Sequence, residues 1–173
     1  KGYDVLLMDG FLDTHFINIL EQKLEKTRFA RVDADVIDKL IEKDEAMPSK
    51  LSDEESKNLK EAFEKYADKE QFMVEVANLS ETELPIMITQ NEFMRRWSDM
   101  QKLSGQQTFG PTDHYNLVVN GNHPLASKIL EEKDDSKQEK LITQLIDLAK
   151  LSQNLLTGEK LSDFIKRSVD YIK

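Results

Sequence analysis

The spacing of apolar positions changes several times along this chain, and each change marks an element. Residues 3–8, containing Val5-Leu6-Leu7-Met8, hardly alternate, which predicts a strand buried on both faces. The period then lengthens. Phe16, Ile17, Leu20 and Leu24 fall on one face of a helix that Asp13 or Thr14 can cap. Arg28 to Val32 reads as a second short strand. Asp35 to Lys43 reads as a short helix with Val36, Ile37, Leu40 and Ile41 apolar. This strand–helix–strand piece has too little apolar surface to cover both faces of a parallel pair, so its sheet partners are expected upstream.

Asp44 to Ser56, with Pro48, small polar residues and many charges, has the composition of a linker. It runs into Ser52-Asp53-Glu54-Glu55, a capping box, and then into a helix with Leu59, Ala62, Phe63, Tyr66 and Ala67 at helical spacing. Two β-type runs follow, Phe72 to Ala77 and Leu84 to Thr89, around the polar stretch Asn78 to Glu83. They predict a hairpin or adjacent antiparallel strands, with Pro85 placing the second at an edge or at its own start. Thr89-Gln90-Asn91-Glu92 is a second capping box, opening a helix to about Leu103 that Gly105, Gly110 and Pro111 end. Tyr115 to Val119 is a third strand. Asn120-Gly121-Asn122-His123-Pro124 is a tight turn whose proline suits the first turn of a helix.

The last third is helical. Ser136 to Glu139 reads as a third capping box, opening a helix with Leu141, Ile142, Leu145, Ile146, Leu148, Ala149, Leu151, Leu155 and Leu156. Thr157-Gly158 is expected to stop it, with Gly158 left-handed. A final helix carries Leu161, Phe164, Ile165, Val169 and Ile172. The longer helix is apolar over more than one face, and one short neighbour cannot cover it. It is either central in its own domain or packed against a copy of itself, in a two-fold four-helix bundle. The expected fold class is α+β: a strand–helix–strand remnant (residues 1–43), a linker (44–56), then a three-stranded sheet with helices and the C-terminal helix pair (57–173).

Composition narrows the function. The 173 residues carry a net charge of −9 and no basic stripe, which disfavours a phosphate backbone as partner, so nucleic acid is not expected. No apolar run approaches the ~18 residues of a membrane span, so a membrane is not expected either. With no cysteine there is no disulfide framework, thiolate metal site or Cys nucleophile; a reducing compartment suits such a chain. The opening Lys1-Gly2-Tyr3-Asp4 leads straight into the first strand, as expected of a piece of something longer.

Catalytic chemistry is thinly represented. His15, His114 and His123 are far apart, no His-x-x-x-His pair exists, and no glycine-rich phosphate loop or nucleophile elbow occurs. Asp33-x-Asp35 lacks the third ligand and the glycine of a calcium loop, so it reads as helix capping. No catalytic or metal-binding residue is assigned. A small hydrolase or metal-binding domain, built on His114, His123 and nearby acids, is the alternative. The helix from Glu92 to Leu103 stands out instead. Phe93, Trp97 and Met100 lie at i, i+4 and i+7, flanked by Met94 and Leu103, with Arg95, Arg96, Asp99 and Lys102 opposite. Such a stripe is either ordinary core or an exposed, adaptable contact surface.

The order of these elements resembles the C-terminal part of the ninety-kilodalton heat-shock protein family in its bacterial form. Gly2 to Met8 followed by Leu12-Asp13 is similar to the last strand and helix of the family's middle domain. Tyr115 to Asn120 followed by Asn122-His123-Pro124-Leu125 is similar to the family's strand and Asn-Pro-Asp-His-Pro-like turn, with Gly121 where the turn's proline usually stands. Phe164-Ile165-Lys166-Arg167 resembles the terminal helix. The resemblance covers nearly the whole chain. It implies a cytoplasmic, homodimeric stress-response chaperone that assists protein folding. Dimerisation would run through the last two helices, by Leu141, Leu145, Leu148, Leu155, Phe164, Ile165, Val169 and Ile172. Unfolded or partly folded clients would be held by Phe93, Met94, Trp97 and Met100. ATP and magnesium would bind in an N-terminal domain that this chain does not include, so the full-length protein is expected to be an ATPase and this piece is not. The acidic tail of eukaryotic cytosolic members is not present, as expected of a bacterial or organellar form.

Overall fold

A computed structural model describes residues 5–8, 12–27, 29, 47–90, 115–170 and 172. Eight elements are defined there. In chain order they are α1 (Asp13–Lys23), α2 (Asp53–Tyr66), β1 (Phe72–Ala77), β2 (Ile86–Thr89), β3 (Tyr115–Asn120), α3 (Pro124–Glu131), α4 (Asp135–Ser152) and α5 (Gly158–Asp170). The mixed sheet and its helices make an α+β fold.

The three strands form one sheet in the order β1-β3-β2. β1 runs parallel to β3, from Phe72 opposite Tyr115 to Ala77 opposite Asn120. β2 runs antiparallel to β3, from Ile86 opposite Val119 to Thr89 opposite Asn116. The hairpin expected between β1 and β2 is therefore corrected: the two strands lie on opposite sides of β3. Leu117, Val118 and Val119 are buried in succession, so β3 needs cover on both faces and takes the centre. Pro85 lies just before β2, at an edge strand as expected, and its carbonyl accepts from the Asn120 amide at 2.9 Å.

Side chains alternate along β1. Phe72 and Val74 point into the core, whereas Met73 and Glu75 face out. The core face of the sheet, with Phe72, Val74, Ile86, Ile88, Leu117 and Val119, packs on Leu59 and Phe63 of α2, Ile129 of α3, and Ile142, Leu145 and Ile146 of α4. On the other face Val118 packs with Ala77, Leu79 and Met87 in a second, smaller cluster.

Local chemistry explains the helix ends. Ser52 and Glu55 form the expected capping box: Ser52 Oγ accepts from the Glu55 amide at 3.3 Å, and Glu55 Oε2 accepts from the Ser52 amide at 2.8 Å. His123 caps α3 through Nδ1, which accepts from the Leu125 amide, with Pro124 in the first turn. Three expected ends are corrected. The capping position of α1 falls at Leu12, before Asp13 and Thr14, and Leu12 makes no side-chain bond there. The cap of α4 is Asp134, not Ser136, because its carboxylate reaches the amides of both Ser136 and Lys137. Finally, α4 stops at Ser152. Asn154, at φ 57°, is its left-handed residue, and the Leu155 amide bonds back to the Lys150 carbonyl at 2.8 Å. Gly158 is left-handed as expected (φ 61°), but it opens α5 rather than closing α4.

Near the start, Val5–Met8 is irregular, not the expected strand. Its Val5, Leu6 and Leu7 side chains are exposed, so the burial that would favour a strand there is not supplied by the described residues. Of the strand expected over 28–32 only Phe29 is described, and the helix expected over 35–43 lies outside the described residues.

Candidate interaction surface

α4 and α5 are joined by polar contacts along their seam. Gln144 Nε2 donates to Ser168 Oγ at 2.9 Å. Arg167 donates from Nε to Gln144 Oε1 at 3.2 Å and from Nη2 to Asp147 Oδ2. Phe164 is buried beside this seam, and Lys150 extends over the Phe72 ring, 5.1 Å from its centroid. Burial, above all, lowers the ammonium pKa of Lys150 below its ordinary value.

The eight residues expected to pair two chains divide by environment. Leu145 and Phe164 are buried within this single chain, so they belong to its own packing. Leu141 and Leu155 are partly buried, Leu155 against the main core. Leu148, Ile165, Val169 and Ile172 are 46%, 54%, 47% and 85% exposed. Leu151, which the expectation did not include among them, is 40% exposed as well. The signal for it was present, since it follows Leu148 by three positions on a helix. Gln144, Leu148 and Leu151 share one face of α4, and Ile165 and Val169 share one face of α5, with Ile172 in a turn just beyond its end. The Gln144–Ser168 bond joins the edges of these two faces. The result is an apolar surface of five large side chains, four on neighbouring helices and Ile172 in the turn after α5, the kind of patch that marks an interaction site.

Phe93, Met94, Trp97 and Met100 lie outside the described residues, as do Asp33, Asp35 and His114. His15 is exposed on α1, and His123 is engaged as a helix cap. Among the described residues no group of three or more His, Cys, Asp or Glu side chains gathers where it could hold a metal ion, and no helix is long and apolar enough to cross a membrane.

A second arrangement that sequence reasoning missed lies at the β3–α3 turn. The side chain of Asn120, fully buried, accepts from the Leu79 amide at 3.3 Å and the Asn122 amide at 3.1 Å, and donates to the Ser80 carbonyl at 2.8 Å. That of Asn122 donates to the carbonyls of Pro48 and Leu79 and accepts from the Lys50 amide at 2.9 Å. Gly121 sits between them because a Cβ there would meet Val76 Cγ1 at 3.2 Å and Leu51 Cδ1 at 3.4 Å. This clamp fastens the β1–β2 connection and the approach to α2 onto one turn.

Comparison with known proteins yields a consistent family. No family model matches the chain. The chaperone protein HtpG of Porphyromonas gingivalis is 37% identical over 237 aligned positions, covering 97% of this chain and 35% of that protein. HtpG of Bacteroides thetaiotaomicron is 34% identical, covering 99% of the chain and 35% of its own length. A more distant HtpG, from Buchnera aphidicola, is 26% identical over 174 positions. The chain thus spans about a third of the length of the first two relatives. Their aligned stretches also exceed its 173 residues, so both carry inserted residues that this chain lacks. With 34–37% identity maintained over 97–99% of its residues, the chain belongs to the HtpG group of the ninety-kilodalton heat-shock chaperone family.

Proposed function

We propose that this chain pairs with a second copy through α4 and α5, and that the pair holds unfolded or partly folded client proteins for a cytoplasmic, ATP-dependent chaperone. The observation that carries the pairing is the run of Leu148, Leu151, Ile165 and Val169 on two adjoining helices, with Ile172 in the turn after α5, each at least 40% exposed. Docking a copy across a two-fold axis would cover this surface with an identical one and make a four-helix bundle. Burying five such side chains per chain is a substantial driving force, at roughly 1.5–3 kcal/mol for each one fully covered.

Client holding rests on the family resemblance and on the sequence stripe Phe93, Met94, Trp97 and Met100. ATP and magnesium are assigned by this reading to another part of the protein. Light scattering at micromolar concentration is the direct test of pairing. Twice the mass of one chain is expected, and a single-chain mass across that range overturns the reading. For client holding, Trp97→Ala is expected to weaken suppression of client aggregation while the paired mass is retained. Undiminished suppression removes Trp97 from that role.

A further inference from the structure

Asn120 is the one asparagine in the sequence that is followed by glycine. That dipeptide is where an asparagine amide is most easily lost, because the glycine nitrogen is unhindered and its backbone free to turn. The reaction balances without any oxidant or reductant. The Gly121 nitrogen attacks Asn120 Cγ, a C–N bond forms, and the Cγ–Nδ2 bond breaks. Ammonia leaves, carrying the proton from the Gly121 amide. One water then opens the resulting five-membered imide at either carbonyl, giving aspartate or isoaspartate at position 120.

The native fold opposes each requirement of that attack. The Gly121 amide is committed to the Ala77 carbonyl at 2.9 Å. Asn120 Cγ cannot swing toward it without giving up the bonds from the Leu79 and Asn122 amides and the one to the Ser80 carbonyl. The side chain is fully buried, out of reach of the water that the second step needs. The same contacts reject the product. An aspartate would set a carboxylate oxygen against the Ser80 carbonyl, where Nδ2 now donates at 2.8 Å, and would bury the charge. An isoaspartate would add a backbone atom at the end of β3 and carry Asn122 off the partners that hold residues 48 and 50.

We propose that Asn120-Gly121 is a conformation-gated deamidation site. It is silent in the folded chain, reactive whenever the β3–α3 turn opens, and its product cannot return to the native clamp. Each excursion long enough for the imide to form would then leave a permanent mark and withdraw that copy from service.

The test incubates the intact chain at mildly alkaline pH, in native buffer and in denaturing urea, and follows the amide-to-acid mass gain of the peptide containing residue 120. Conversion in urea is expected to be at least about tenfold faster, since only opened molecules react in buffer. Equal rates in the two conditions overturn the proposal. Gly121→Ala is compared in urea alone, where folding is not required. It is expected to slow conversion several-fold, and an unchanged rate overturns the dependence of the attack on an unhindered glycine at position 121. After removal of urea, the converted fraction is expected to stay unfolded while unconverted chains refold. Refolding of both with the same protease resistance overturns the one-way character.

Discussion

Arg167 on α5 bonds to Asp147 on α4, and its Nε reaches Gln144 one turn earlier, so a single guanidinium spans two positions along α4. Both ends of the ion pair are substantially shielded, the Asp147 side chain at 14% exposure and that of Arg167 at 31%. A bond to a charged group in such a setting contributes more than an open surface pair. Arg167→Ala is expected to cost about 1–3 kcal/mol in urea unfolding. Arg167→Lys should recover only part, because a lysine has no fork with which to reach both Gln144 and Asp147. Full recovery by lysine would mean that charge alone, not the fork, sets the α4–α5 register.

Phe164 and Ile165 are neighbours in sequence with opposite environments, one buried in the chain and one 54% exposed. Their substitutions should separate folding from pairing. Phe164→Ala is expected to lower stability by about 3–5 kcal/mol, as for a buried aromatic. Ile165→Asp should leave the circular dichroism of the chain unaltered and shift its mass in solution toward a single copy, because its charge becomes buried only when a second chain docks. Leu148→Glu, on the facing edge of α4, is expected to do the same. A chain that keeps its paired mass with both changes would place the contact elsewhere.

That contrast also marks how far the sequence could be read. Helical period alone identified the apolar positions of the last two helices. It could not decide which of them point at the sheet, since that depends on Ile142, Ile146 and Ala149 meeting β-strands far away in sequence. The Ser52–Glu55 box was legible because every bond in it lies within four residues. The cap of α4 falls two positions before Ser136 because Asp134 and Ser136 are both good caps, and only the backbone geometry chooses between them. The order of the strands was not legible at all. Both runs flanking Asn78–Glu83 suit a hairpin, and what separates them is the fit of β3 between them, with Asn120 tying Leu79 and Ser80 across its end.

The capping box carries a pH dependence of known sign. The Glu55 carboxyl is held below its ordinary pKa, chiefly by the hydrogen bond from the Ser52 backbone amide and then by that from the Ser52 hydroxyl. A carboxyl whose folded pKa is depressed contributes stability above its unfolded pKa and loses it as the pH falls through the folded value. Glu55→Gln should therefore be less stable than the parent at neutral pH, and the gap should close as the solution is acidified below the ordinary carboxylate range. Thermal melts of the two proteins along an acid series measure it. A gap that stays constant would assign the cap to the neutral hydrogen bonds alone.

Asn122 offers the sharpest test of the turn clamp, because its side chain joins three segments and carries no charge. Asn122→Ala strips the donor from the buried Leu79 carbonyl, while the Pro48 carbonyl and Lys50 amide, only part-buried, can turn to water. The expected loss is about 1–3 kcal/mol, that of one buried polar group left without a partner. Asn122→Asp keeps the acceptor for Lys50 but sets a carboxylate oxygen against the Leu79 and Pro48 carbonyls. It should be less stable than the alanine variant even though it is closer in shape. Hydrogen exchange at the Lys50 amide should quicken in both. If the aspartate variant proved the more stable, bonding to Lys50 would outweigh bonding to the two carbonyls, and the clamp would act on the approach to α2 more than on the β1–β2 connection.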